Sequence, residues 1–107
     1  MVDSLLQEFK SDAKKHALEE TPKESVGLIV DGKYWRCKNI AENPEEDFAL
    51  DPSDYILADR AGEIQGVVHS HPPGTPPSPL DEEVAEFTGL PWYIYLIPTD
   101  EWVKVGK

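Results

Sequence analysis

His69 and His71, followed by Pro72, Ser78 and Asp81, are the residues of this sequence best suited to chemistry. Residues two apart on a strand face the same way, so two imidazoles in this spacing can aim their nitrogens at one point. A catalytic zinc takes three protein ligands and keeps a fourth position for water, with bonds of roughly 2.0 to 2.2 Å to nitrogen and oxygen. His69, His71 and Asp81 are therefore the expected ligands of one zinc ion per chain. A further polar group must hold and deprotonate the water, and Glu24, just ahead of an apolar run, is the candidate general base. Ser78 is the candidate donor to the oxyanion that forms when a carbonyl is attacked.

The elements that must bring these residues together are legible. Residues 64 to 71 read as a strand, with Val67 and Val68 adjacent and apolar, as suits a central position buried on both faces. The next eight residues carry five prolines, so they form a stiff loop rather than a helix or a ladder strand. Ser78, Pro79 and Asp81 then spell a helix start: a serine N-cap, proline at the first position, a carboxylate at the third. Leu80, Val84 and Phe87 supply the expected buried stripe of that helix, and Gly89 its stop.

Upstream, a helix is expected over residues 3 to 20, with Ser4 or Asp3 as cap and Leu5, Leu6, Phe9, Ala13, His16 and Ala17 at helical spacing. Val26 to Val30, the Asp31-Gly32 turn and Lys33 to Ile40 read as a β-hairpin. Phe48 to Leu50 is an expected short strand, and Asp51-Pro52 opens a helix that ends near Ala61 before Gly62. Pro91 to Ile97 and Trp102 to Val105 complete the strands. Helices and strands interleave, so the fold class is α/β (α+β), a mixed sheet flanked by helices.

Chain length and charge restrict the function classes. The sequence has 107 residues, which suits one domain over 1–107. Its formal charge of −11 disfavours phosphate backbones and anionic lipid, so neither nucleic acid nor membrane is an expected partner. Cys37 is the one cysteine, which excludes an intramolecular disulfide and fits a reducing cytoplasm. No leader-like start and no run of about 18 apolar residues is present, so a soluble cytoplasmic protein is expected.

Glu24-Ser25-Val26-Gly27-Leu28, His69-Ser70-His71-Pro72 and Ser78-Pro79-Leu80-Asp81 together resemble the JAMM motif of the MPN-plus metallopeptidases. The resemblance implies zinc on His69, His71 and Asp81, Glu24 as general base, Ser78 at the tetrahedral intermediate, and the cytidine-deaminase-like fold of that family. Asp31-Gly32, Tyr34, Cys37, Asn39, Phe48 and Asp51-Pro52 extend the likeness to prokaryotic members, including the N-terminal domain of lambda-type phage tail assembly proteins. The implied activity is hydrolysis of an amide bond in a protein or peptide, with a ubiquitin-like conjugate or a phage structural protein among the substrates the motif admits.

Other readings compete. The same fold serves as a non-catalytic interaction module, for example in phage tail assembly, with its zinc structural or absent. A zinc deaminase would require a pair of cysteines beside the histidine, and a cupin-type site a glutamate where Gly74, Thr75 and prolines stand. His16 has no second ligand near it in sequence and is read as structural. Cys37 is read as a buried thiol, the proline loop as a scaffold, and Trp35, Trp92 and Trp102 as packing residues.

Overall fold

The computed structural model describes residues 2–106, with side chains from Glu8 onward. Its elements run α1 (Val2–Glu20), β1 (Val26–Val30), β2 (Lys33–Cys37), α2 (Pro52–Ala61), β3 (Ile64–His71), α3 (Pro79–Thr88), β4 (Trp92–Leu96) and β5 (Glu101–Val105). The five strands form one mixed sheet in the order β2-β1-β3-β4-β5. Only β3 and β4 are parallel, because α3 makes the crossover between them; the other neighbours are antiparallel.

Each face of the sheet has its own core. On one side Phe9 and Ala13 of α1 pack against Ile29, Val68 and Tyr93. On the other, Ala58 of α2 and Ala85 of α3 meet Val26, Leu28, Val30, Val67 and Trp92. The alternation Val26, Leu28, Val30 against Gly27, Ile29 is the period of two that a strand buried on both sides divides between its faces. Gly27 is needed as glycine, since a Cβ there would run into the Tyr34 ring. That ring in turn gives His16 its partner: Tyr34 Oη lies 2.7 Å from His16 Nδ1.

The caps follow the sequence closely. Asp51 accepts the Ser53 amide at the start of α2, with Pro52 behind it. Ser78 and Asp81 form a capping box at the start of α3, and Gly89 ends that helix in the left-handed conformation. The expected α1 positions Leu5 and Leu6, with the caps Ser4 and Asp3, lie outside the described side chains.

Three expectations are corrected. The second hairpin strand stops at Cys37 rather than Ile40. Phe48 to Leu50 is not a strand: Leu50 makes a single bridge to Asn39, Ala49 is held by the Ile40 amide and the Asn39 side chain, and Phe48 packs on His69 and Trp92. The buried stripe of α3 is not Leu80, Val84 and Phe87. Asp81 and Ala85 face inward, while Leu80 is 62% and Phe87 91% exposed, with Val84 half-buried between. The capping box turns the helix so that Asp81 points inward, and Ala85, one turn later, shares its face.

Candidate metal centre

Strand register assembles the centre. Val26 pairs with His69 and Ser70 N–H donates to the Ser25 carbonyl at 3.0 Å, so the pairing continued past the end of β1 sets Glu24 opposite His71. Ser70 Oγ also accepts from the Ser25 amide at 2.8 Å and from Ser25 Oγ at 3.0 Å, which locks the two segments together on the α1 side. Alternation along both strands then turns Glu24, His69 and His71 toward α3. There Asp81 enters from the first turn of the helix.

The four side chains converge. His69 Nδ1 lies 3.5 Å from Glu24 Oε1, His69 Nε2 3.6 Å from Asp81 Oδ1, and His71 Nε2 3.7 Å from Asp81 Oδ2. Glu24, His69 and His71 each offer a donor atom within 4.8 Å of the others. All four residues are buried. A cleft of about 500 Å3 opens onto Glu24, His71 and Asp81, lined also by Phe48, Leu50, Ser78, Leu80, Val84 and Trp92.

Each ligand candidate is oriented by a second contact. His71 Nδ1 lies 2.7 Å from the Thr75 carbonyl in the proline loop, so Nδ1 carries the proton and Nε2 presents its lone pair inward. Asp81 Oδ2 accepts from Ser78 N at 2.8 Å and Ser78 Oγ at 3.2 Å, leaving Oδ1 toward His69. The His69 ring is stacked under Phe48, centroids 4.4 Å apart, with Trp92 edge-on at 5.8 Å.

His69 tests whether these residues suit a metal. It is 1% exposed, and neither ring nitrogen has a hydrogen-bond partner. A buried imidazole with two unsatisfied nitrogens is costly and rare in native proteins. The 3.6 Å between His69 Nε2 and Asp81 Oδ1 is too long for a hydrogen bond, yet close to the roughly 3.3 to 3.6 Å between two donors of one tetrahedral ion with such bond lengths, while Nδ1 faces Glu24 on the other side of the ring. Two imidazoles and carboxylates form a donor set that suits zinc. The residues fit one divalent cation.

Burial sets the electrostatics. It pushes the Glu24 carboxyl up to about 7, with the negative charges of Asp81 and Asp47 adding to the effect and His71 opposing it. It also pushes His69 down to about 4, against the pull of Asp81. The centre thus favours a neutral imidazole, as a metal ligand must be, and a carboxyl able to exchange a proton near neutrality.

All five residues singled out in the sequence come together here: Glu24, His71, Ser78 and Asp81 line the cleft, and His69 is buried behind them against Glu24 and Asp81. Two contributors were read in the sequence only as part of the family likeness, not as site residues. Phe48 sits in a polar loop where periodicity is silent, and Asn39, at the end of the hairpin, bonds to the Glu24 carbonyl at 2.9 Å. An amide residue just past a strand end, ahead of a loop without regular structure, is the hint that could have flagged Asn39.

Fold and centre together define a class, and comparison with known proteins agrees. The chain belongs to the prokaryotic homologs of the JAB domain, matching that family over residues 7–104. It is 39% identical over 88 residues to tail tip assembly protein K of Escherichia phage N15, an alignment covering 78% of this chain and 36% of that protein. The chain thus spans about a third of the relative's length. In fold it resembles the solution structure of protein DSY2949 from Desulfitobacterium hafniense, with a TM-score of 0.71 over 90% of this chain and 76% of that one, at 24% identity.

Proposed function

We propose that this domain holds one zinc ion through His69, His71 and Asp81 and hydrolyses an amide bond in a protein or peptide. The orphaned His69 ring between two carboxylates carries the reading. Zinc bound there would acidify water and polarise a carbonyl. Glu24, its proton affinity raised into the neutral range, takes the proton of the attacking water and returns it to the leaving amine. Asp81 serves as ligand rather than base because Ser78 holds one of its oxygens and leaves the other facing His69. Ser78 Oγ, bound to Asp81 only at 3.2 Å, turns from it to donate to the oxyanion.

The relatives favour a second reading more directly than the first. The phage N15 protein is described by its part in tail tip assembly, and a domain that docks a phage structural protein, with or without metal, meets that description without turnover. A phage structural protein is accordingly the partner class we propose under either reading; these relatives lend no support to a ubiquitin-like substrate. No helix among the described residues is long and apolar enough to cross a membrane. The one thiol, Cys37, is buried, which suits the cytoplasm we propose as its location. We also take residues 1–107 as one folding unit.

Turnover separates the two readings. Zinc-loaded protein is incubated with isopeptide-linked and linear peptides and with phage tail proteins, and cleavage is followed by mass spectrometry. The hydrolase reading predicts cleavage that falls at least about 100-fold in Glu24→Gln while zinc is retained. Undiminished cleavage by Glu24→Gln contradicts the mechanism, and capture of a tail protein without cleavage favours the assembly module.

A further inference from the structure

Asn39 follows β2 and uses every polar group of its side chain. Its Nδ2 donates to the carbonyl of Glu24 at 2.9 Å, to that of Asp47 at 3.0 Å and, more distantly, to that of Pro44 at 3.4 Å. Its Oδ1 accepts from the amides of Ala41 and Ala49, both at 3.1 Å. Glu24 is caught from its other side as well, because its N–H donates to the Pro44 carbonyl at 2.7 Å. One amide group thus fastens Glu24, two residues ahead of β1, to both ends and the middle of the segment 41–49.

That segment has no regular structure to order it, yet it delivers the cleft wall. Phe48 lies on the His69 ring and touches Trp92 at a centroid distance of 5.5 Å. With no hydrogen bond of its own, the His69 ring owes its orientation to these aromatic neighbours. One branch runs from Asn39 through the backbone of Asp47 and Ala49, on either side of Phe48, to the Phe48 ring on His69, and the other from Asn39 to the Glu24 carbonyl.

We propose that Asn39 is the positioning residue of the metal centre, setting Glu24 and the His69 ring in register with each other. This rests on the metal-binding reading. Outer contacts that orient metal ligands are commonly worth 10- to 100-fold in affinity.

The test uses Asn39→Asp, which keeps the acceptor for Ala41 and Ala49 but turns an acceptor toward the carbonyls of Glu24 and Asp47. Two quantities are measured: zinc affinity by chelator competition, and the contact between the Phe48 and His69 ring protons by NMR of the metal-free protein. The expected result is a 10- to 100-fold loss of zinc affinity, a weakened ring contact and faster exchange of the Glu24 amide, with β3 and β4 amides still protected. Wild-type affinity and an intact ring contact would overturn the proposal. Absence of zinc binding in the wild type would overturn the metal reading alone, since the ring contact is read without metal. Phe48→Ala tests the same link without disturbing Asn39: it should lower zinc affinity comparably while the Glu24 amide stays protected, and unchanged affinity overturns the link.

Discussion

His71 Nδ1 sits 2.7 Å from the carbonyl of Thr75, four residues further on, so the loop that leaves β3 turns back to hold the ring that ends it. Pro76 keeps Thr75 extended, and its own φ is restricted. The imidazole is thus aligned before any metal arrives, and little conformational freedom remains to be lost on binding.

Loosening the loop should therefore weaken the centre. Replacing Pro76 and Pro77 by glycine is expected to lower zinc affinity about tenfold, equivalent to ~1.4 kcal/mol, mostly through chain entropy. Chelator competition measures it. Unchanged affinity would mean that the Thr75 contact does not preorganise His71.

Substitution can part the capping role of Ser78 from the catalytic one proposed for it. Ser78→Ala should destabilise the fold by about 1 kcal/mol in urea unfolding, since the cap on α3 is lost. Ser78→Gly, which adds no charge beside Asp81, should cost only a few tenths of a kcal/mol. If the hydroxyl also donates to the oxyanion, Ser78→Gly stays defective in turnover; full turnover by Ser78→Gly would reduce Ser78 to its cap.

The metal-free protein should show opposed pH slopes from two buried groups. Glu24 is raised from 4.5 to about 7, so between those values the folded state binds more protons than the unfolded state, and stability falls as pH rises. His69 is lowered from 6.5 to about 4, so stability falls as pH drops through that window. The two nearly cancel between pH 4.5 and 6.5. In Glu24→Gln only the His69 slope remains, and the stability of this variant relative to wild type should climb from pH 4.5 to 7, by on the order of 3 kcal/mol at most. Urea midpoints across that range decide it; a flat difference would show that Glu24 is not desolvated.

The orientation of α3 makes a stability prediction. Phe87→Ser should change unfolding free energy by less than about 0.5 kcal/mol, as the ring is exposed. Ala85→Leu should cost about 1 to 3 kcal/mol, because Ala85 is packed into the core under the sheet. The opposite ranking would restore the stripe expected from sequence.

That stripe shows where sequence reasoning reached its limit. The five ladder strands (apart from the end of β2), the Asp51 and Ser78 caps and the Gly62 and Gly89 stops are local chemistry and were legible. So was the convergence of His69, His71 and Asp81, because alternation in β3 and a capping box in α3 aim side chains predictably. For α3, Leu80, Val84 and Phe87 compete with Asp81 and Ala85 for the inner face, and only the tertiary position of Asp81 resolves which wins. Asn39 and Phe48 were illegible as site residues for another reason: their partners lie across an irregular loop that obeys no period.

The most direct test is metal stoichiometry by inductively coupled plasma mass spectrometry on protein purified with zinc and dialysed, for wild type and for His69→Gln and His71→Gln. One zinc per wild-type chain, falling to near zero in both folded variants, is the predicted result. Metal-free wild type, or zinc retained when either imidazole is gone, would contradict a centre built on these two rings.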